Sequence, residues 1–345
     1  MLKLGEIQGL PAGAPVALEA GLQAFIAERD MPLYRMMSFQ LGWVDENGSP
    51  AERQPPPRLH GMSCLAAAEA VGGGFNTAIW SAVAVELAYN FWQVHADVED
   101  GNTERDGRPS VWWAWGPAQA INAGDGMHAM ARLAMFRSRH ADAGAEQLAA
   151  AIKLFDEAIA TLCEGEYLDI SFQEKLSVRI DEYLAMAEAR TGALFGCAMQ
   201  LGATAGGCMQ ADLTQPMAAF GIKLGAARQV GGDIAALWGN AVDKSQTGRL
   251  TAKKKSLPVV HAIATGTPTV RRKLGDMYVQ RSLGSDDMKE AALILDECGS
   301  RKFAQDTYAR LLSEADQSLV TAGLGHDGTE LMRAVARSIA GDPEP

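Results

Sequence analysis

Cysteine is scarce in this chain: there are five in 345 residues, an odd number with no Cys-x-x-Cys pair. That excludes a disulfide framework or a zinc knuckle, and Cys64, Cys163, Cys197, Cys208 and Cys298 read as reduced core thiols of a cytoplasmic protein. A surplus of positive charge is also missing. The formal net charge of −11 excludes a general binder of nucleic acid or anionic membrane, because phosphate-rich surfaces select basic ones. No apolar run is long enough to span a bilayer, and residues 1–29 lack the basic start and apolar core of a secretory signal. No segment alternates with the period of a strand, no internal repeat recurs, and no shift in composition marks a boundary. A single domain over residues 1–345 is therefore expected.

Helix formers are plentiful. Hydrophobic residues make up 48% of the chain and aromatics only 7%, with Ala and Leu common, which favours a mostly helical protein long enough to bury a sizeable core. Leu18, Leu22, Phe25 and Ile26 recur at helical spacing over 15–29. Similar patterns cover 31–41, 63–71, 76–95, 117–138, 144–164, 173–199, 217–237, 257–264, 269–280, 286–297, 302–321 and 328–340. Residues 45–57 carry Pro50, Pro55, Pro56 and Pro57 and must be a loop. Gly72-Gly73-Gly74 stops a helix and is not a phosphate loop, since no Lys-Ser/Thr follows. Together these patterns predict an all-α bundle whose cavity is lined by facing helices.

The chain is organised around residues 86–125. An apolar helix over 80–95 runs into Asp97, Glu99 and Asp100 before a polar turn. Residues three or four apart share a helix face, so Asp97 and Asp100 can point into one cavity and offer the oxygen ligands that Mg²⁺ prefers. A solvated helix end is the alternative. After this cluster come Gly101, Arg105-Asp106, Gly107-Arg108-Pro109, Trp112 and Ala120-Ile121-Asn122-Ala123-Gly124-Asp125. Further blocks are Gly165-Glu166-Tyr167-Leu168-Asp169-Ile170, Tyr183-Leu184, Arg190-Thr191-Gly192-Ala193-Leu194-Phe195, Phe220-Gly221-Ile222-Lys223-Leu224-Gly225 and Lys254-Lys255-Ser256-Leu257-Pro258. In order and spacing, roughly over residues 41–262, these blocks resemble the trans-isoprenyl diphosphate synthases, or polyprenyl synthetases.

The resemblance implies an isoprenoid-synthase helical bundle around a central cavity, a homodimer or a heteromer with an active prenyl synthase, prenyl diphosphate as ligand, and Mg²⁺ held between two Asp-rich clusters. Where the family has His-Asp-Asp-x-x-Asp, this chain has His95-Ala96-Asp97-Val98-Glu99-Asp100; of the second cluster only Gln229 and Asp233 remain. The implied metal ligands are thus Asp97, Asp100 and Asp233. The implied contacts to an allylic diphosphate are Arg105, Arg190 (a lysine in the family), Lys244 and Arg58. In the pocket for isopentenyl diphosphate, Pro57, His60, Tyr89 and Asp106 stand where the family has lysine, arginine, histidine and arginine. Trp92 and Phe91 occupy the positions that limit tail length, with core packing as the alternative.

Other residues have plainer readings. Lys253-Lys254-Lys255 reads as a solvated charge run, with a residual phosphate role as the alternative. His95 reads as a hydrogen-bonded structural residue, and Trp112, Trp113 and Trp115 as core or interface aromatics. Removing one preorganised electrostatic group commonly costs roughly a hundred- to a thousand-fold in rate, so the losses point away from ordinary chain elongation. Three functions follow: a non-elongating accessory or regulatory subunit, or prenyl-diphosphate binder, in isoprenoid biosynthesis; a terpene-synthase-like enzyme ionising an allylic diphosphate; or a short-chain prenyltransferase whose contacts are rerouted through Arg58 and Arg105.

Overall fold

A computed structural model describes residues 7–239, 253–279 and 284–341. Helices α1 (Gly13–Ile26) and α2 (Pro32–Gln40) precede the proline-rich loop, after which α3 (Leu59–Ala70) and a short 3₁₀ turn (Phe75–Ala78) lead into α4 (Ile79–Asp100). A two-stranded hairpin, β1 (Glu104–Arg105) and β2 (Arg108–Pro109), returns the chain to α5 (Val111–Trp115), α6 (Pro117–Met135), α7 (Arg139–Asp142) and α8 (Ala145–Ser171). Helix α9 (Ile180–Ala187) passes through a π turn (Glu188–Gly192) into α10 (Ala193–Ala205), and α11 (Ala211–Trp238) follows. The C-terminal part comprises α12 (Leu257–Thr265), α13 (Pro268–Val279), α14 (Ser285–Glu297), α15 (Ser300–Ala322) and α16 (His326–Ala340).

The architecture is the expected all-α bundle, and its departures from the sequence reading are local. Helix α4 continues past the His95 end of its apolar pattern to Asp100, so Asp97 and Asp100 lie on the helix as their spacing expected. Residues 173–179 are not helical, and the apolar pattern expected over 173–199 divides into α9, the π turn and α10. The hairpin is absent from the sequence reading because it contains only two residues per strand, too few to show a period. Its signal is the dipeptide Asp106-Gly107: both residues have positive φ, 50° and 69°, as the mirror-image turn of a tight hairpin requires.

The main core draws Leu18, Leu22 and Phe25 from α1, Leu65 from α3, Val83 and Leu87 from α4, Met127 and Met130 from α6, and Phe195 and Met199 from α10. Burying each side chain of this size contributes about 1.5–3 kcal/mol. A second cluster, with Phe172, Tyr183, Met186, Val230, Leu257 and Leu311, joins α9 and α11 to α12 and α15. Val259, Leu274 and Leu295 form a third between α12, α13 and α14. Cys64 and Cys197 are core thiols as expected, but Cys163 is exposed and Cys208 and Cys298 are half-buried. Among the described residues no helix is long and apolar enough to cross a membrane.

Candidate functional site

Helix α4 presents two functional stripes. Glu86, Asn90, Gln93 and Asp97 are spaced four, three and four residues apart, and Trp92, Ala96 and Asp100 four and four, so each set lies along one side of the helix. The first stripe meets α3 and the hairpin. The second meets α8, the π turn and the start of α12.

On the first stripe, the hairpin folds Arg105 back onto Asp97. Arg105 Nε lies 3.0 and 2.9 Å from the two carboxylate oxygens, and Nη2 adds a third contact at 2.5 Å. Asp97 is 1% exposed. Burial lifts its carboxyl above the usual range against the pull of Arg105. Burial opposes the charge on Arg105, but Asp97 more than offsets this and holds the guanidinium protonated. The residue implied to grip diphosphate and one implied to bind metal are bound to each other.

The second stripe enters a buried charge cluster. Lys254 Nζ lies 2.7 Å from Asp100 Oδ1, 3.0 Å from Glu166 Oε1 and 2.9 Å from Asp169 Oδ2, with its side chain fully buried. The Lys253-Lys254-Lys255 run is therefore not a solvated face: Lys254 is 1% and Lys255 4% exposed. Arg190 closes the other side, with Nε 2.7 Å from Glu166 Oε2 and 3.2 Å from Asp169 Oδ2. Trp92 Nε1 donates to the same Glu166 oxygen at 2.9 Å, and the Arg190 guanidinium lies 4.9 Å from the centre of the Trp92 ring.

The backbone makes this cluster feasible. The π turn displaces Arg190 inward, a common device at functional sites, and Gly165 lets α8 come close. A Cβ there would lie 2.3 Å from the Arg190 nitrogen. Burial alone would raise the Glu166 pKa, but Arg190 and Lys254 more than offset it and hold the carboxyl below the usual range.

Asp233, the survivor of the second acidic motif, also serves the chain itself. It accepts from the Tyr183 hydroxyl and, at 2.7 Å, from the backbone N–H of Leu257, the first residue of α12. Gln229 accepts from Arg190 at 3.1 Å and from Thr191 at 2.9 Å. Asp97 and Asp100 are each paired with a basic side chain and Asp233 serves α12, and no group of three His, Cys, Asp or Glu among the described residues is placed to hold a metal. As arranged, this donor set does not fit the Mg²⁺ that the resemblance implies.

Two cavities adjoin at His60, Tyr89 and Arg228. One, of about 160 Å³, is lined by Trp92, Leu162, Leu194 and Phe195 together with Arg190, Gln229 and Asp233. The other, of about 190 Å³, is lined by Pro57, Arg58, Glu86, Asn90, Gln93 and Asp106. Between them His60 is stacked against Tyr89 and Phe195, with ring centres 4.1 and 3.9 Å apart. Arg58 donates to Glu19 at 3.1 and 3.2 Å and to the Leu41 carbonyl at 2.6 Å.

Glu86 is 1% exposed and accepts from the Gly61 N–H at 3.0 Å. Burial pushes its carboxyl up to about 7, against the pull of Arg58. Burial also drives the His60 imidazole well below its ordinary value, aided by Arg228.

The remaining predicted residues lie as follows. Phe91 packs against the rings of His95 and His128, away from both cavities. Lys244 lies outside the described residues. Glu99 is exposed. His95 bonds to the Ile121 carbonyl at 3.2 Å, Trp112 donates to the Asn102 carbonyl at 2.6 Å, Trp115 packs edge-on against Phe39, and Trp113 is exposed.

Sequence reading missed Arg228 and Glu86 as cavity residues and Lys254 as the buried hub. Only their places beside Gln229, at the start of the 86–125 stretch and before Ser256-Leu257-Pro258 could have signalled them.

Residues 54–295 match the polyprenyl synthetase family. The chain is 31% identical over 305 residues to a (2E,6E)-farnesyl diphosphate synthase of Mycobacterium tuberculosis, covering 87% of this chain and 83% of the relative. It is 30% identical over 311 residues to a geranylgeranyl diphosphate synthase of the same organism, covering 89% and 87%. Among solved structures, a polyprenyl synthetase from Streptomyces coelicolor superposes with a TM-score of 0.87 at 28% identity, covering 97% of this chain and 100% of that one.

Proposed function

This chain belongs to the polyprenyl synthetase family, and from that premise we propose that it is a non-elongating member acting as an accessory or regulatory subunit beside an active prenyl synthase. The observation that carries this reading is the internal use of its acidic residues. Asp97 is held by Arg105, Asp100 by Lys254, and Asp233 by Tyr183 and the start of α12. The acids implied to bind metal are thus tied to the chain itself, and Arg105 and Arg190, implied to bind diphosphate, are tied to its carboxylates. Glu166 adds a further carboxylate to that cluster.

Trp113, Ile121, Leu133 and Phe136, on and beside the packed helices α5 and α6, are exposed apolar side chains that a partner subunit could cover.

The test combines two assays on the purified chain. Alone with Mg²⁺, an allylic diphosphate and labelled isopentenyl diphosphate, it should incorporate no label. Mixed with an active prenyl synthase from the same cell, it should co-elute and change product length or rate. Incorporation by the chain alone, or failure to associate, overturns the proposal.

A further inference from the structure

The 190 Å³ cavity holds an unusual charge inventory. Arg58 lines it, but its guanidinium is already bound to Glu19 and Leu41. Arg228 also lines it, and its one hydrogen bond among the described residues is from Nη1 to the Ile339 carbonyl, at 2.8 Å; no described carboxylate pairs with it. On the acidic side are Glu86, buried and bonded only to neutral donors, and Asp106 in the hairpin turn. His60, 6% exposed, has an Nδ1 with no hydrogen-bond partner. The Tyr89 hydroxyl accepts from Gln93 at 2.7 Å, and its own proton makes no bond among the described residues.

A guanidinium without a carboxylate partner and a buried carboxyl lining one cavity suit a ligand with one charge of each sign. A diphosphate carries at least two negative charges; here it would meet a single available cation and two opposing acids. The cavity, about 190 Å³, is large enough to admit a small amino acid.

We propose that this cavity binds a small amino-acid-like zwitterion, its carboxylate on Arg228, its ammonium on Glu86 and its apolar side chain against the Tyr89 and His60 rings. A bound ammonium would also settle the Glu86 proton, which a carboxyl at about 7 holds only loosely near neutral pH. The pocket is then a small-molecule input to the protein, which goes beyond the non-elongating reading and does not depend on the partner.

Calorimetric titration of the full chain near neutral pH with L-leucine, isovalerate and isopentenyl diphosphate tests the assignment. Leucine should bind most tightly and isopentenyl diphosphate most weakly. Arg228→Gln should weaken leucine binding about tenfold or more, the loss expected of a charge-assisted bond, while Arg228→Lys retains most of it. Glu86→Gln should abolish the preference for leucine over isovalerate. Thermal melts of the three variants show that they are folded. Absence of leucine binding, or full affinity in Arg228→Gln, overturns the inference and leaves the non-elongating reading standing. Tight isopentenyl diphosphate binding overturns the inference and counts against that reading as well.

Discussion

Replacing Glu86 by glutamine should make the protein more stable in alkaline solution than in acid, relative to wild type. The folded Glu86 carboxyl titrates at about 7 against an ordinary value of 4.5 because it is buried. The folded state therefore binds this proton more tightly than the unfolded state. Its stability contribution is complete below pH 4.5 and is lost as pH rises to about 7.

At 1.36 kcal/mol per unit, the loss is about 1.4 kcal/mol by pH ~5.5 and about 3.4 kcal/mol by pH ~8.5. In the Glu86→Gln variant the substituted side chain keeps an oxygen for the Gly61 N–H but turns an amide toward Asn90, at a cost of about 1 kcal/mol at every pH. Urea unfolding of both proteins at the two pH values gives the difference directly, and all other titrating groups cancel in it. The variant should gain about 2 kcal/mol on wild type between pH ~5.5 and ~8.5. A difference that does not change with pH, or that runs the other way, refutes the claim that Glu86 is buried without a compensating cation.

Lys254→Met should destabilise the fold by about 3–5 kcal/mol, because Asp100 would lose its cation and Glu166 and Asp169 would share Arg190 alone. Glu166 has a depressed folded pKa, so its contribution is present above its unfolded value and is lost as pH falls through the folded one; the gap between wild type and Lys254→Met, measured by denaturant unfolding, should narrow in acid. Arg105→Gln and Asp97→Asn should each cost several kcal/mol, and the double variant less than their sum, with a coupling of about 0.5–3 kcal/mol in a double-mutant cycle. The melting temperature of wild type should not differ between Mg²⁺ and a chelator, whereas a rise of several degrees with Mg²⁺ would mean the metal displaces Arg105 or Lys254 from its carboxylate.

Helix positions, the proline-rich loop and the family framework were legible because they rest on local spacing: Leu18, Leu22 and Phe25 disclose the inner face of α1 without reference to anything else. The candidate site was only half legible. Sequence placed Asp97, Asp100, Arg105, Arg190 and Asp233 in one neighbourhood, but not which would pair with which. Lys254 lies 154 residues after Asp100 in the chain, and three consecutive lysines look the same whether they face water or a buried acid. Arg228 escaped notice because its role arises from cavities that side chains of α3, α4 and α11 line together. The π turn was invisible for a similar reason: the apolar pattern through 173–199 is continuous, and only the close approach of Gly165 to Arg190 shows why the helix widens there.

A buried carboxylate has three sources of compensation: a bound metal, a ligand, or a basic side chain of the same chain. The first two come and go, and a site that relies on them must tolerate acids repelling one another when empty. Arg105 and Lys254 supply the third kind, fixed by covalent connection and held by a hairpin turn and by the start of α12. Opening this site to a metal would require breaking a two-pronged Arg105–Asp97 contact and removing an ammonium from three acids, each step leaving a charge buried and unpaired at about 3–5 kcal/mol. On the proposed non-elongating reading, the chemistry implied by the family faces a barrier built from these internal pairings. Replacing acidic positions alone would not create such a barrier, because an apolar substitute leaves nothing to break; it arises from the pairing of the acids that remain.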